Sequence, residues 1–195
     1  MKEQPTKQHI LISTINAIEK HGVHNLTTRL IAEEAGVNNA ALHYYFGTKE
    51  ELINEALVMT LQNWMEDTNE ILSRPLDLRV RLTALLEYLT EGSMRYPNII
   101  RAHLFDPIMN CASEGTFLTL YAFWLDRVSG ELTSEQPGRD ANLIRFEVHG
   151  ALMGLLMAIL LQNIPHSPLG LNIQDTHHQR EVIDRLVETI LDDRH

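Results

Sequence analysis

Between residues 27 and 49 the sequence gathers short hydrogen-bonding side chains and two cations: Thr27, Thr28 and Arg29, then Asn38, Asn39, Ala40 and Ala41, then His43, Tyr44 and Tyr45, and finally Lys49. Asparagine can pair with the adenine edge through two hydrogen bonds, and an alanine methyl can meet the thymine methyl. Threonine, tyrosine, arginine and lysine suit phosphate oxygens, which fix register without reading sequence. The chain has no Ser-His-Asp motif, P-loop or Gly-rich dinucleotide fingerprint. The expectation is a reader of double-stranded DNA rather than an enzyme, with no catalytic residue and no cofactor.

Such groups need rigid elements to aim them. Thr27 is placed to cap a short helix with its hydroxyl. Ile31 and Ala35 then face inward, and Ala32 is small enough for a second helix to approach. Gly36 falls where a helix ends in a residue of positive φ, and Val37 plugs the turn. Asn38 caps the next helix, whose Leu42 and Phe46 share one inward face. Asn39 and His43 lie one turn apart on the outward face. Thr48-Lys49-Glu50-Glu51 reads as a capping box, which sets Lys49 beside free N–H groups that favour a phosphate. Glu33 and Glu34 are expected to point away from phosphates. Two short helices joined by a tight glycine turn make a helix-turn-helix, whose second helix enters the major groove.

From about Thr6 to Leu57 the chain resembles the tetracycline-repressor (TetR) family of bacterial regulators. An amphipathic helix ending in HG precedes LTTRLIAEEAGVNNAALHYYFGTKEELINEAL. That string carries the family's Thr, its Ile-Ala, its Ala-Gly-Val, its aromatics and Phe, and its Lys-Glu-x-Leu. The resemblance implies that Thr27, Thr28 and Arg29 touch the DNA backbone. It likewise implies that residues 38–41 and His43 to Tyr45 meet the groove and its edges, and that Lys49 holds a phosphate. His43 departs from the pattern, since the family most often has Tyr there.

The 195 residues carry 16 Lys and Arg against 26 Asp and Glu, a formal charge of −10. The first 50 residues hold five of each sign, so the excess lies wholly in the remainder. A neutral head on an acidic body suggests two tasks. One cysteine, Cys111, excludes an internal disulfide framework. The start MKEQPTKQH lacks the apolar stretch of a secretory signal, and the longest apolar run, Ala151 to Leu161, is 11 residues. A cytoplasmic protein without a membrane partner is expected.

Apolar spacing is helical nearly throughout, with prolines marking boundaries. Helices are expected near 7–20, 28–35, 39–45, 49–72, 77–94, 98–109, 114–132, 140–163 and 176–192, an all-α fold of about nine helices. A helix-turn-helix head of three helices, residues 1–48, would precede a helical ligand-binding and dimerisation domain, residues 49–195.

One such hairpin recognises too few base pairs to find a site alone, so a homodimer on two half-sites is expected. Gly150, Gly154 and Ala158 form a small-residue stripe on a helix apolar almost all round. With Val182, Leu186 and Ile190 it offers a four-helix dimer interface. Met94, His103, Phe105, Met109, Phe117, Tyr121 and Trp124 concentrate aromatic and polarisable groups suited to a small-molecule effector. His166, His177, His178 and Asp175 match no standard zinc spacing, and no metal is expected. A second reading stays open: an all-α small-molecule-binding protein or enzyme whose hairpin is structural.

Overall fold

A computed structural model describes residues 7–109, 116–161 and 172–191. Among these there are nine α-helices and no strand. They are α1 Lys7–His21, α2 Thr28–Ala35, α3 Asn39–Phe46, α4 Lys49–Leu72, α5 Leu78–Arg95, α6 Pro97–Met109, α7 Thr116–Glu135, α8 Ala141–Leu161 and α9 Thr176–Leu191, with a single 3-10 turn at Val23–Asn25. The all-α expectation holds, and the helix limits fall within a few residues of those read from spacing. Pro97 opens α6, where its missing N–H costs nothing. Pro107 lies in the last turn of that helix rather than beyond it.

By packing, the chain forms two units: residues up to Trp64 with Tyr96–Leu118, and Met65–Arg95 with the residues from Thr119 on. In the first, Ile10, Ala17 and Ile18 of α1 meet Ile31, Ala32 and Ala35 of α2, Leu42 and Phe46 of α3, and Leu52 of α4. Ile99 and Ala102 of α6 complete that core. A second tie joins α1 to α6. The Glu19 carboxylate accepts from the N–H of Asn98 (3.0 Å) and of Ile99 (3.2 Å), and Asn98 Nδ2 donates to the Glu19 carbonyl (2.8 Å). Glu19 thus serves as a borrowed N-cap for α6. Burial raises its carboxyl pKa, against the lowering pull of the two N–H groups.

In the second unit α5, α8 and α9 pack together. Trp124, Val128 and Leu132 of α7, Ile144, Leu155 and Ile159 of α8, and Val187 of α9 are fully buried. Arg81 is buried with its charge. It donates to the carbonyls of Leu72 (2.7 Å) and Leu76 (3.0 Å), and pairs with Glu131 and Glu135 of α7. A buried guanidinium needs this many partners, because an unpaired one would be expelled. Just beyond that same end of α7, Arg139 donates to the Ile190 carbonyl (2.6 Å) and pairs with Glu147, closing the end of α9.

The 11-residue run understates α8, which spans 21 residues and reaches a mean hydropathy of 1.7 over 18 of them. By length and composition it is apolar enough to cross a bilayer. Only a third of that stretch is buried in the chain.

Candidate nucleic-acid interface

The hairpin is built from capping chemistry. Thr27 Oγ1 accepts from Leu30 N–H at 3.2 Å and starts α2. At its end Gly36 adopts φ 64°, ψ 30°, the left-handed conformation. Val37 N–H reaches the Ala32 carbonyl (2.9 Å) and Gly36 N–H the Glu33 carbonyl (3.3 Å), the paired bonds of a Schellman ending. Asn38 Oδ1 then accepts from Ala41 N–H at 2.9 Å and starts α3 two residues later. With Leu42 and Phe46 buried, Asn39, Ala40, His43 and Tyr44 are turned to solvent, Tyr44 by 83%. Ala41 and Tyr45 are half-buried, and the Tyr45 ring lies edge-on to Tyr44, with centroids 5.1 Å apart.

The capping box at the next helix forms as expected. Glu51 N–H donates to Thr48 Oγ1 (3.1 Å), and Thr48 N–H donates back to Glu51 Oε2 (2.9 Å). Gly47 sits at φ 72°, which favours glycine, and a Cβ there would lie 2.7 Å from Glu51 Oε2, so the Glu51 carboxylate would have to shift. Lys49 Nζ donates to the Leu26 carbonyl at 3.3 Å. That bond brings the start of α4 beside the start of α2, so Lys49, Thr27, Thr28 and Arg29 make one patch of donors. Nothing local marks this contact, because Leu26 reads only as an apolar residue.

The cations of this region are not idle. Arg29 Nε pairs with Glu33 (2.8 Å), Lys20 with Glu34 (2.7 Å), Lys7 with Glu55 (2.7 Å) and Lys49 with Glu50 (3.5 Å). Glu34 is thus occupied by Lys20. Glu33, expected to point away from phosphates, instead sits on Arg29. A phosphate at Arg29 would compete with it, at little cost because an exposed pair is worth about 0–1 kcal/mol.

The remaining candidates divide. His103 and Phe117 fall in the first unit, with rings stacked 5.7 Å apart. Thr60 Oγ1 donates to the Leu57 carbonyl (2.7 Å) and accepts from His103 Nε2 (2.8 Å). Burial pushes the His103 pKa down to about 4, so the ring is neutral. Met94, Tyr121 and Trp124 fall in the second unit. There Tyr121 Oη bonds His149 Nδ1 (2.7 Å) and stacks on Trp124, whose Nε1 donates to Thr68 (3.0 Å), while Met94 Sδ accepts from Gln179 (3.7 Å). Burial raises the Tyr121 hydroxyl to about 12. The side chains of Phe105 and Met109, with Cys111 and His166, lie outside the described residues. Thr60, Thr68 and His149 were missed by sequence reading, since nothing local marks a partner 28 to 56 residues away.

On α8, Gly150 and Gly154 are open to solvent. They share a face with Leu143 (61% exposed), Phe146 (71%) and Met157 (45%). Ala158, Val182 and Leu186 are half-buried. Ile190 differs: it is buried in the chain's own core with Ile183 and Val187. Asp175 accepts from the N–H groups of His177 (3.0 Å) and His178 (3.1 Å) and so caps α9.

Comparison with known proteins agrees with the hairpin. The family model described as bacterial regulatory proteins, tetR family, matches residues 10–56. The helix-turn-helix-type transcriptional regulator BetI of Agrobacterium fabrum (strain C58) is 28% identical over 172 residues, 86% of this chain and 82% of that protein. BetI of Brucella anthropi is 31% identical over 122 residues, 61% of this chain and 63% of that protein. The crystal structure of the transcriptional regulator FadR from Bacillus subtilis, in complex with stearoyl-CoA, shares the fold at a TM-score of 0.69 and 17% identity, covering 97% of this chain and 100% of that one. These relatives are transcriptional regulators rather than enzymes. Residues 10–56 thus match the DNA-binding region of the tetR family of bacterial regulatory proteins, and over most of its length the chain is similar to transcriptional regulators.

Proposed function

We propose that this regulator binds a palindromic operator as a homodimer and is released from it by a small molecule, acting as a repressor. The observation that carries the reading is the open face of α3, Asn39, Ala40, His43 and Tyr44, beside a patch in which Lys49 bridges the starts of two helices. Base edges are read by the first group and phosphates are held by the second. The stearoyl-CoA held by the FadR structure supports an effector site in this chain as well. Within the second unit, Tyr121 stacked on Trp124 supplies apolar surface with few polar groups, as an organic effector requires. The uncovered apolar face of α8 supports pairing with a second copy, with Val182 and Leu186 at its margin. Linkage requires that operator DNA weaken the effector as much as the effector weakens DNA.

The test is a retained palindromic fragment in a gel, with affinity measured against salt. Each phosphate contact contributes about −0.9 to the slope of log affinity on log salt. Lys49→Ala should reduce that slope by about 1 and weaken all sequences alike, whereas Asn39→Ala should also relax preference at one base pair. Absence of binding to upstream and random duplexes at low salt overturns the reading.

A further inference from the structure

We propose that His43 reads a base: its outer ring nitrogen, Nε2, accepts a hydrogen bond from the exocyclic amino group of adenine or cytosine and does not hold a phosphate. The inference rests on α3 being the recognition helix.

His43 Nδ1 lies 2.7 Å from the Gly47 carbonyl oxygen. A carbonyl only accepts, so the hydrogen of that bond belongs to Nδ1. A neutral imidazole carries one hydrogen, which leaves a lone pair on Nε2. The bond is one of two between the same residues, since Gly47 N–H donates to the His43 carbonyl at 3.0 Å. Gly47 makes both bonds at φ 72°, a conformation that favours glycine. The ring is therefore clamped to the end of its own helix in a single tautomer, exposed, one turn from Asn39 on the same open face.

DNA offers few partners to such an acceptor. Phosphate oxygens, guanine O6 and N7 and thymine O4 all accept. The only major-groove donors are the N6 amino group of adenine and the N4 amino group of cytosine. A tyrosine hydroxyl at this position could donate to a phosphate; a neutral ring held by Gly47 has no hydrogen to give.

The experiment is selection of random duplexes by the full chain at pH 8.5, above the ordinary imidazole range, with wild type and His43→Phe in parallel. Wild type should select adenine or cytosine over guanine or thymine about tenfold at one position of each half-site, falling below about twofold in His43→Phe while the rest of the site is kept. A second measurement needs no variant. Replacing the selected base by an analogue without that amino group, 2-aminopurine for adenine, should cost wild type the same factor of about ten. Unchanged selection in His43→Phe overturns the inference. So does a single methylphosphonate substitution that abolishes the difference between the two proteins, since that marks a phosphate contact. Failure of wild type to retain any duplex is a separate outcome, which removes the recognition-helix reading and this inference with it.

Discussion

The helix-turn-helix and the α5–α8–α9 unit are both helical, yet they are held by different means. In the first, helices of eight residues are begun and ended by bonds spanning three to five positions: Thr27 to Leu30, Ala32 to Val37, Asn38 to Ala41, Thr48 to Glu51. In the second, helices of 16 to 21 residues meet through large side chains distant in sequence, with Arg81 drawing Leu72, Leu76, Glu131 and Glu135 together. Short-range bonds fix orientation at small energetic cost, as a reader of base edges needs. Long-range burial supplies stability.

The contrast is broken most strongly at Trp124. Trp124→Ala removes a fully buried indole and its bond to Thr68, and should cost about 3–5 kcal/mol in denaturant unfolding. A cost near 1 kcal/mol would show that the second unit does not depend on burial in this way.

An intermediate effect is expected at His103. Its pKa falls from the ordinary histidine value to about 4 on folding. The unfolded chain therefore binds the proton more readily, and stability is lost as pH drops through 6.5 toward 4. From pH 7 to 5 this one group should remove about 2 kcal/mol. His103→Gln should flatten that part of the stability–pH curve; an unchanged curve would place the acid sensitivity elsewhere.

Smallest in stability are the caps. Thr27→Ala should cost about 1 kcal/mol. Gly36→Ala should cost about 1–2 kcal/mol, all of it backbone strain, because no atom stands within 4 Å of its added Cβ. Both should nonetheless weaken operator binding more than Trp124→Ala does at temperatures where all three remain folded. Equal DNA affinity across the three would erase the distinction between the regions.

This division also decides what could be read from sequence. Thr27, Gly36, Asn38 and the Thr48–Glu51 box are legible because the residue and its partner lie within one turn. The 3.6-residue period located α4 to α9 for the same reason. His103 with Thr60, Tyr121 with His149 and Arg81 with Glu131 were not legible, since 28 to 50 residues separate each pair and no local rule binds them. Ile190, expected at a dimer interface, is buried within its own chain, and period alone cannot tell which apolar side of α9 the chain covers itself. The charge of the first 50 residues, neutral in sum, hid that its described cations are each already matched to a carboxylate.

The borrowed cap of α6 bears on modularity. The core that carries α3 is completed by Ile99 and Ala102, with Glu19 holding the α6 backbone about 80 positions downstream. A transplant cut at residue 48 would move the reading surface but strip the cover from Ile10 and Ile18. Chimaeras made between such regulators should keep their specificity only when α6 travels with the donor's first helix. The unit of exchange is discontinuous in sequence, joining residues up to Trp64 with Tyr96–Leu118.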